Sequence, residues 1–155
     1  IFELASAAHA SDYKLIVITN QSGIGRGYYS EPQFHQLTSW MCNEFLNAGA
    51  PIEKVYFSPF HPTAGLGAYK KDDVSRKPHP GMICQAQEEM NLNLENSILI
   101  GDKVTDVQAG IAAGVGLNIL FAPKQTSELI KQHYHIISTL GEALPFINSS
   151  VKRLS

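Results

Sequence analysis

Apolar runs of strand length alternate along the chain with amphipathic stretches of helix length. Lys14–Thr19 (KLIVIT) is rich in β-branched residues, and Lys54–Pro59 (KVYFSP), Ser97–Gly101 (SILIG) and Leu117–Phe121 (LNILF) are of the same kind. His135–Ser138 (HIIS) is a shorter candidate. Runs that are continuous rather than alternating predict strands covered on both faces, as in a parallel sheet.

Helical periodicity fills the intervals. Residues 1–10 read as helix, and Ser30 with Gln33 three positions later forms a capping-box signal for a helix reaching Ala48, where Gly49 stops it. Phe34, Leu37, Met41, Phe45 and Leu46 recur at helical spacing and are expected to face the sheet. Further helices are predicted over Pro80–Asn91, Thr105–Ala113, Ser127–His133 and Gly141–Ser150. This alternation predicts an α/β fold, a doubly wound (Rossmann-like) parallel sheet, in one domain over residues 1–155. The irregular stretch Phe60–His79 is about twenty residues, a length at which loops are usually functional.

Composition narrows the class. Of 155 residues 44% are hydrophobic and 17% charged, enough for a packed core. Twelve basic against fourteen acidic residues give a net charge of −2, too balanced for coating nucleic acid or an acidic membrane. Cys42 and Cys84 fall in helical stretches and read as buried reduced thiols. No run of eighteen apolar residues is present, and IFELASAAHA lacks a basic leader. A cytoplasmic monomer is expected. The chain opens without Met inside a helix, so residues upstream are expected to be missing.

Ligands of parallel sheets bind beyond the carboxyl ends of strands. Three segments there carry chemistry: Thr19-Asn20-Gln21-Ser22, Arg76-Lys77-Pro78-His79-Pro80 and Gly101-Asp102-Lys103-Val104-Thr105-Asp106. Alone, Thr19-Asn20 also reads as a strand-ending turn, Asp102 also as a helix cap, and Arg76-Lys77 more often as solvated surface. Together they suit a phosphate dianion held beside a divalent metal. The Thr19 hydroxyl can bond phosphoryl oxygens, and Lys77 can neutralise charge on them. Arg76 offers a planar fork for a further phosphate or hydroxyl-rich group. Asp102 is a hard oxygen ligand suited to Mg²⁺, and Asp106 could hold Lys103 or a metal-bound water. Six of the twelve basic residues (Arg26, Lys70, Lys71, Arg76, Lys77, Lys103) lie in these loops, predicting a positive mouth. His61 and His79 read as loop residues. Gly23-Ile24-Gly25-Arg26-Gly27 is not a dinucleotide fingerprint, because its third glycine is misplaced and no helix is expected to open there.

At VITNQSGIGRGYYSE, RKPHPGMI and GDKVTDVQAGIAAGVG the chain resembles the haloacid dehalogenase superfamily of Mg²⁺-dependent phosphohydrolases, and within it the D,D-heptose 1,7-bisphosphate and histidinol phosphatases. The resemblance implies a phosphomonoesterase acting on a small sugar phosphate through an aspartyl-phosphate, most simply the 7-phosphate of a heptose bisphosphate. Histidinol phosphate, or a truncated non-catalytic phosphosugar-binding domain, is the alternative. Carried over by position, Thr19 and Lys77 contact the phosphoryl group, and Asn20, Gln21, Ser22, Arg76 and Lys103 contact substrate. Asp102 holds Mg²⁺.

Two departures stand out. The first is at the positions matching a structural zinc of the heptose enzymes, which are Ser58, Phe60, Asp73 and Ser75; with no Cys or His among them no zinc is expected. The loop is then expected to be held by packing of Phe57, Phe60, Leu66 and Tyr69. The second is that the family's first strand, ending in the nucleophilic Asp-x-Asp, is absent from this chain. It belongs between the strands ending at Thr19 and Asp102.

Overall fold

A computed structural model of the chain describes residues 1–123 and 133–150. The predicted helix over Ser127–His133 lies almost wholly outside them. The elements follow the order α1 (Phe2–Ala10), β1 (Leu15–Asn20), α2 (Ser22–Gly25), α3 (Glu31–Asn47), β2 (Ile52–Ser58), α4 (Gly81–Met90), β3 (Ile98–Gly101), α5 (Val104–Ala113), β4 (Leu117–Phe121), β5 (His135–Ile137) and α6 (Leu144–Ser150). A 3₁₀ turn at Gly67–Tyr69 interrupts the long loop, and another at Leu140–Ala143 leads into α6.

All strand pairs are parallel, but they form two sheets among the described residues, β1-β2 and β3-β4-β5. The carboxyl ends of β1 and β2 are level, with Asn20 opposite Ser58. α1, α3 and α6 cover one face: Leu4 and Ala8 pack with Ile119, Ile137 and Ile147, and Phe2 meets Phe45 edge-on at 5.0 Å. α4 and α5 cover the other, where Ile83 and Ala109 pack with Ile18 and Leu99. β1 and β3 therefore share core clusters without sharing hydrogen bonds. Every residue of both strands is only half-buried, whereas Asn118, Ile119 and Leu120 of β4 are buried. Two open backbone edges face a common core.

The capping box of α3 forms as its sequence dictates. The Ser30 hydroxyl accepts from the Gln33 N–H, and the Gln33 carboxamide accepts from the Ser30 N–H at 2.8 Å. The predicted buried stripe of that helix is corrected. Phe34 is buried against Phe57 at 4.7 Å, with Met41 and Phe45 half-buried, but Leu37 and Leu46 are 61% and 59% exposed. α3 covers only the β1-β2 half-sheet, so the stripe that finds a partner is narrower than the apolar stripe in the sequence. Cys42 and Cys84 are free and half-buried rather than buried. No described helix is long and apolar enough to cross a membrane.

This register of α3 is open to test by urea denaturation. Phe34→Ala is expected to cost about 3–5 kcal/mol. Leu37→Gln and Leu46→Gln should stay within about 0.5 kcal/mol of the parent.

Candidate active site

The three chemistry-bearing segments meet at one lysine. Lys77 Nζ donates to the Ile18 carbonyl at 2.8 Å and pairs with Asp106 Oδ1 at 2.9 Å. Both side chains are nearly enclosed, 11% and 8% exposed. An ammonium carries three protons, so two are engaged and one is left for a ligand oxygen. Asn20 brackets the backbone of the same lysine. Its Oδ1 accepts from the Lys77 N–H and its Nδ2 donates to the Lys77 carbonyl, each at 3.0 Å. The Lys77–Pro78 peptide bond is cis.

Asp106 is held from its other side. Oδ2 accepts from the Lys103 N–H at 2.9 Å, joining the first turn of α5 to the end of β3. Only glycine fits at position 101, because a Cβ there would lie 2.3 Å from Asp106 Cβ. Of the expected partners of Asp106, Lys103 is held, through its backbone N–H. Its carboxylate holds the Lys103 backbone and the Lys77 ammonium. Asp102 is exposed and makes no hydrogen bond or ion pair with a described residue. An unpartnered carboxylate at a strand end is a donor of the class Mg²⁺ takes, since that ion keeps waters and needs one or two carboxylates plus phosphate. Asp102 fits magnesium as a single carboxylate ligand; the described residues hold no cluster of three or more His, Cys, Asp or Glu side chains able to bind a metal.

Thr19 stands at the end of β1, one residue beyond the carbonyl that Lys77 grips. Its Oγ1 accepts from Gln21 Nε2 at 2.9 Å, which leaves the Thr19 O–H free to donate outward. Gln21 Oε1 in turn accepts from the Tyr29 hydroxyl at 2.5 Å. Gln21 and Asn20 therefore engage other parts of the site with their side chains, Gln21 holding Thr19 and Asn20 holding Lys77. Tyr29 escaped the sequence reading, since its eight-residue separation from Gln21 matches no local periodicity. Beyond Gln21 lies a cleft of about 340 Å³ lined also by Tyr29, Gln33, Phe34 and Leu37. Ser22 opens the short helix α2, where no helix was expected. The turn closes tightly because a Cβ on Gly25 would lie 2.3 Å from the Pro59 carbonyl oxygen.

The other loop cations are dispersed. Arg26 turns onto the Tyr28 ring at 4.6 Å, and Lys71 pairs with Asp73 at 2.8 Å. Arg76, adjacent to Lys77, donates from Nη1 to the Phe60 carbonyl at 3.0 Å. His61 Nδ1 accepts from the Ala64 N–H at 3.0 Å, and His79 faces Asp72 at 3.3 Å, both within the loop.

The positions matched to zinc ligands hold one another instead. The Ser58 and Ser75 hydroxyls bond at 2.9 Å, and Ser75 donates to Asp73 Oδ1 through its hydroxyl at 2.6 Å and its N–H at 3.0 Å. The fourth position, Phe60, lies under the Lys71 ammonium at 4.1 Å. Two hydroxyls, a paired carboxylate and a hydrocarbon ring do not make a zinc site. The expectation that packing of Phe57, Phe60, Leu66 and Tyr69 holds the loop is corrected. Phe60 and Tyr69 do approach at 6.0 Å, but Phe57 packs on α3 and Leu66 is 62% exposed. Burial pushes the Asp73 carboxyl up, but the Lys71 ammonium and the two Ser75 donors outweigh it and hold the pKa at about 2.

Two outcomes follow from these contacts. Lys77→Ala leaves the Asp106 carboxylate enclosed and unpaired, and is expected to destabilise by about 3–5 kcal/mol, while Lys77→Met with Asp106→Asn recovers most of that in a denaturation series. Asp73 has a pKa below its ordinary 3.8, so its contribution is present above that pH and lost as pH falls through about 2. The stability difference between the parent and Asp73→Asn should accordingly be full at pH 5 and vanish near pH 2, about where the folded group titrates.

Comparison with known proteins places this geometry. Residues 74–143 match the HAD-hydrolase-like family model. The chain is 48% identical over 147 residues to the D-glycero-alpha-D-manno-heptose-1,7-bisphosphate 7-phosphatase of Burkholderia mallei, covering 95% of this chain and 78% of that one. It is 42% identical to the D-glycero-beta-D-manno-heptose-1,7-bisphosphate 7-phosphatase of Vibrio cholerae, covering 77% of this chain but 64% of that protein. Among solved structures, a HAD-like phosphatase of Mesorhizobium loti superposes with a TM-score of 0.85 at 26% identity, over 99% of this chain and 73% of the other. The D,D-heptose 1,7-bisphosphate phosphatase of B. bronchiseptica, complexed with magnesium and phosphate, shares the fold with a TM-score of 0.78 at 19% identity, over 96% and 81%. The chain belongs to the heptose-1,7-bisphosphate 7-phosphatase family of HAD-like phosphatases.

Proposed function

We propose that this chain carries the phosphate-binding half of a Mg²⁺-dependent phosphomonoesterase that removes the 7-phosphate of D-glycero-D-manno-heptose 1,7-bisphosphate. The observation that carries the reading is the Lys77 ammonium. It is fixed between the end of β1 and the start of α5, with one proton unengaged. The named activity of the Burkholderia and Vibrio relatives supports the substrate, and the magnesium and phosphate bound by the B. bronchiseptica enzyme support the metal.

The nucleophile belongs to a parallel strand upstream of Ile1 that pairs with the open edges of β1 and β3. Such a strand supplies backbone partners to two half-buried strands and brings its carboxyl end between Thr19 and Asp102. The first Asp of its Asp-x-Asp motif attacks phosphorus in line, the phosphorus–ester oxygen bond breaks, and the second Asp gives the leaving oxygen a proton. Water then cleaves the aspartyl-phosphate, with that second Asp taking the water's proton. Lys77 and the Thr19 hydroxyl donate to the equatorial oxygens, where negative charge concentrates in the transition state. Arg76 orients the rest of the substrate, with Lys103 at the metal-side rim. Asp102 would hold magnesium, which would supply Lewis-acid polarisation at the phosphoryl group.

Phosphate release tests this on a polypeptide extended upstream through the Asp-x-Asp strand, with Mg²⁺ present. Asp102→Asn is the sharpest variant, because an exposed unpartnered carboxylate can be neutralised without disturbing the fold. A loss of at least about 100-fold in kcat/KM with unchanged thermal stability is expected. Activity at the parental level, or a preference for histidinol phosphate over both heptose bisphosphate anomers, contradicts the reading.

A further inference from the structure

The long loop reaches the site through Arg76, and one polar ring governs where that arginine sits. Ser58 is a fully buried polar side chain at the end of β2, so it requires a hydrogen-bond partner. Ser75 has a single hydroxyl proton, and the Asp73 carboxylate at 2.6 Å is its stronger acceptor. The Ser58 proton therefore goes to Ser75. Asp73 Oδ2 meets Lys71, the Lys71 ammonium lies over the Phe60 ring, and the Phe60 carbonyl accepts from Arg76. The Arg76 N–H donates to the Asp73 carbonyl at 2.8 Å. The chain thus closes on itself around Arg76, which is held by its backbone at Asp73 and by its guanidinium at Phe60.

Lys77 is fixed by a different set of contacts, namely Asn20, Ile18 and Asp106. Neighbouring residues in the chain are thus positioned independently. We propose that the Ser58–Ser75–Asp73–Lys71–Phe60 ring is a metal-free clasp, and that Asp73 is a positioning residue that sets Arg76 for substrate recognition while leaving Lys77 untouched. The substrate part of this inference rests on the phosphatase reading above. The clasp itself does not, since it is a statement about loop order.

The test uses the full-length protein with Asp73→Ala, Asp73→Asn, Arg76→Ala and the Asp73→Ala/Arg76→Ala double variant. Loss of the charge-assisted bonds from Asp73 to Lys71 and Ser75 is expected to raise KM for the sugar bisphosphate about tenfold in Asp73→Ala, with kcat within about twofold. Asp73→Asn keeps the Oδ1 acceptor for Ser75 and should recover about half of that on a logarithmic scale. In the Arg76→Ala background, Asp73→Ala should change KM by less than about twofold, because its effect passes through the arginine. A merely structural role would lower thermal stability and leave this KM pattern flat. Hydrogen exchange over residues 60–79 supplies an arm that needs no turnover. Amides there should exchange at least about tenfold faster in Asp73→Ala, and a zinc-selective chelator should leave the parent's exchange unchanged. Additive KM effects of Asp73 and Arg76 overturn the positioning role. Unchanged exchange in Asp73→Ala, or loop opening on zinc chelation, overturns the clasp. A parent protein without phosphatase activity but with the expected exchange pattern refutes the function reading alone.

Discussion

A nearly enclosed ammonium group holds this molecule together at its functional end. Charge removed from water must be paired, and a charge paired with only one partner is costly. Lys77 satisfies the constraint with a backbone carbonyl of β1 and a carboxylate of α5. One partner stands on β1 and the other on the helix that follows β3, so a single side chain joins the two halves at their carboxyl ends where no backbone ladder does. Asn20 fixes the lysine's backbone, Gly101 leaves room for Asp106, and the Lys103 N–H occupies the second carboxylate oxygen. Each of these small features serves the same contact.

The divided sheet explains both the exposure pattern and the placement of chemistry. β4 has strands on both sides and is buried, whereas β1 and β3 have one each and are half-buried throughout. Open edges of strands that share a core are unusual, because unpaired backbone groups otherwise invite association. Here the edges flank the proposed phosphate-binding groups, so in the proposed enzyme strand pairing would also complete the site.

Much of the fold was legible because its signals are local. The capping box at Ser30 and Gln33, the β-branched runs and the left-handed Gly49 that stops α3 each act within a few residues. Family membership was legible too, in the three motif segments. Side-chain partners were less so. Asp106 lies three residues from Lys103 and reads as its partner, yet its ion pair is with a lysine twenty-nine positions away, which only the fold brings near. Tyr29 behind Gln21, and Ser75 and Asp73 beneath Ser58, are likewise products of loop geometry. Leu37 and Leu46 failed for the opposite reason, since apolar periodicity marks a face able to be buried and not the area available to bury it.

The convergence of three segments on one dianion is most directly measured by titrating inorganic phosphate, with Mg²⁺ present, into ¹⁵N-labelled protein and following backbone amides. Convergence requires that residues 19–22, 76–77 and 102–103 shift together and saturate with a single affinity. Shifts confined to one segment, or saturating at separate concentrations, would contradict a common site.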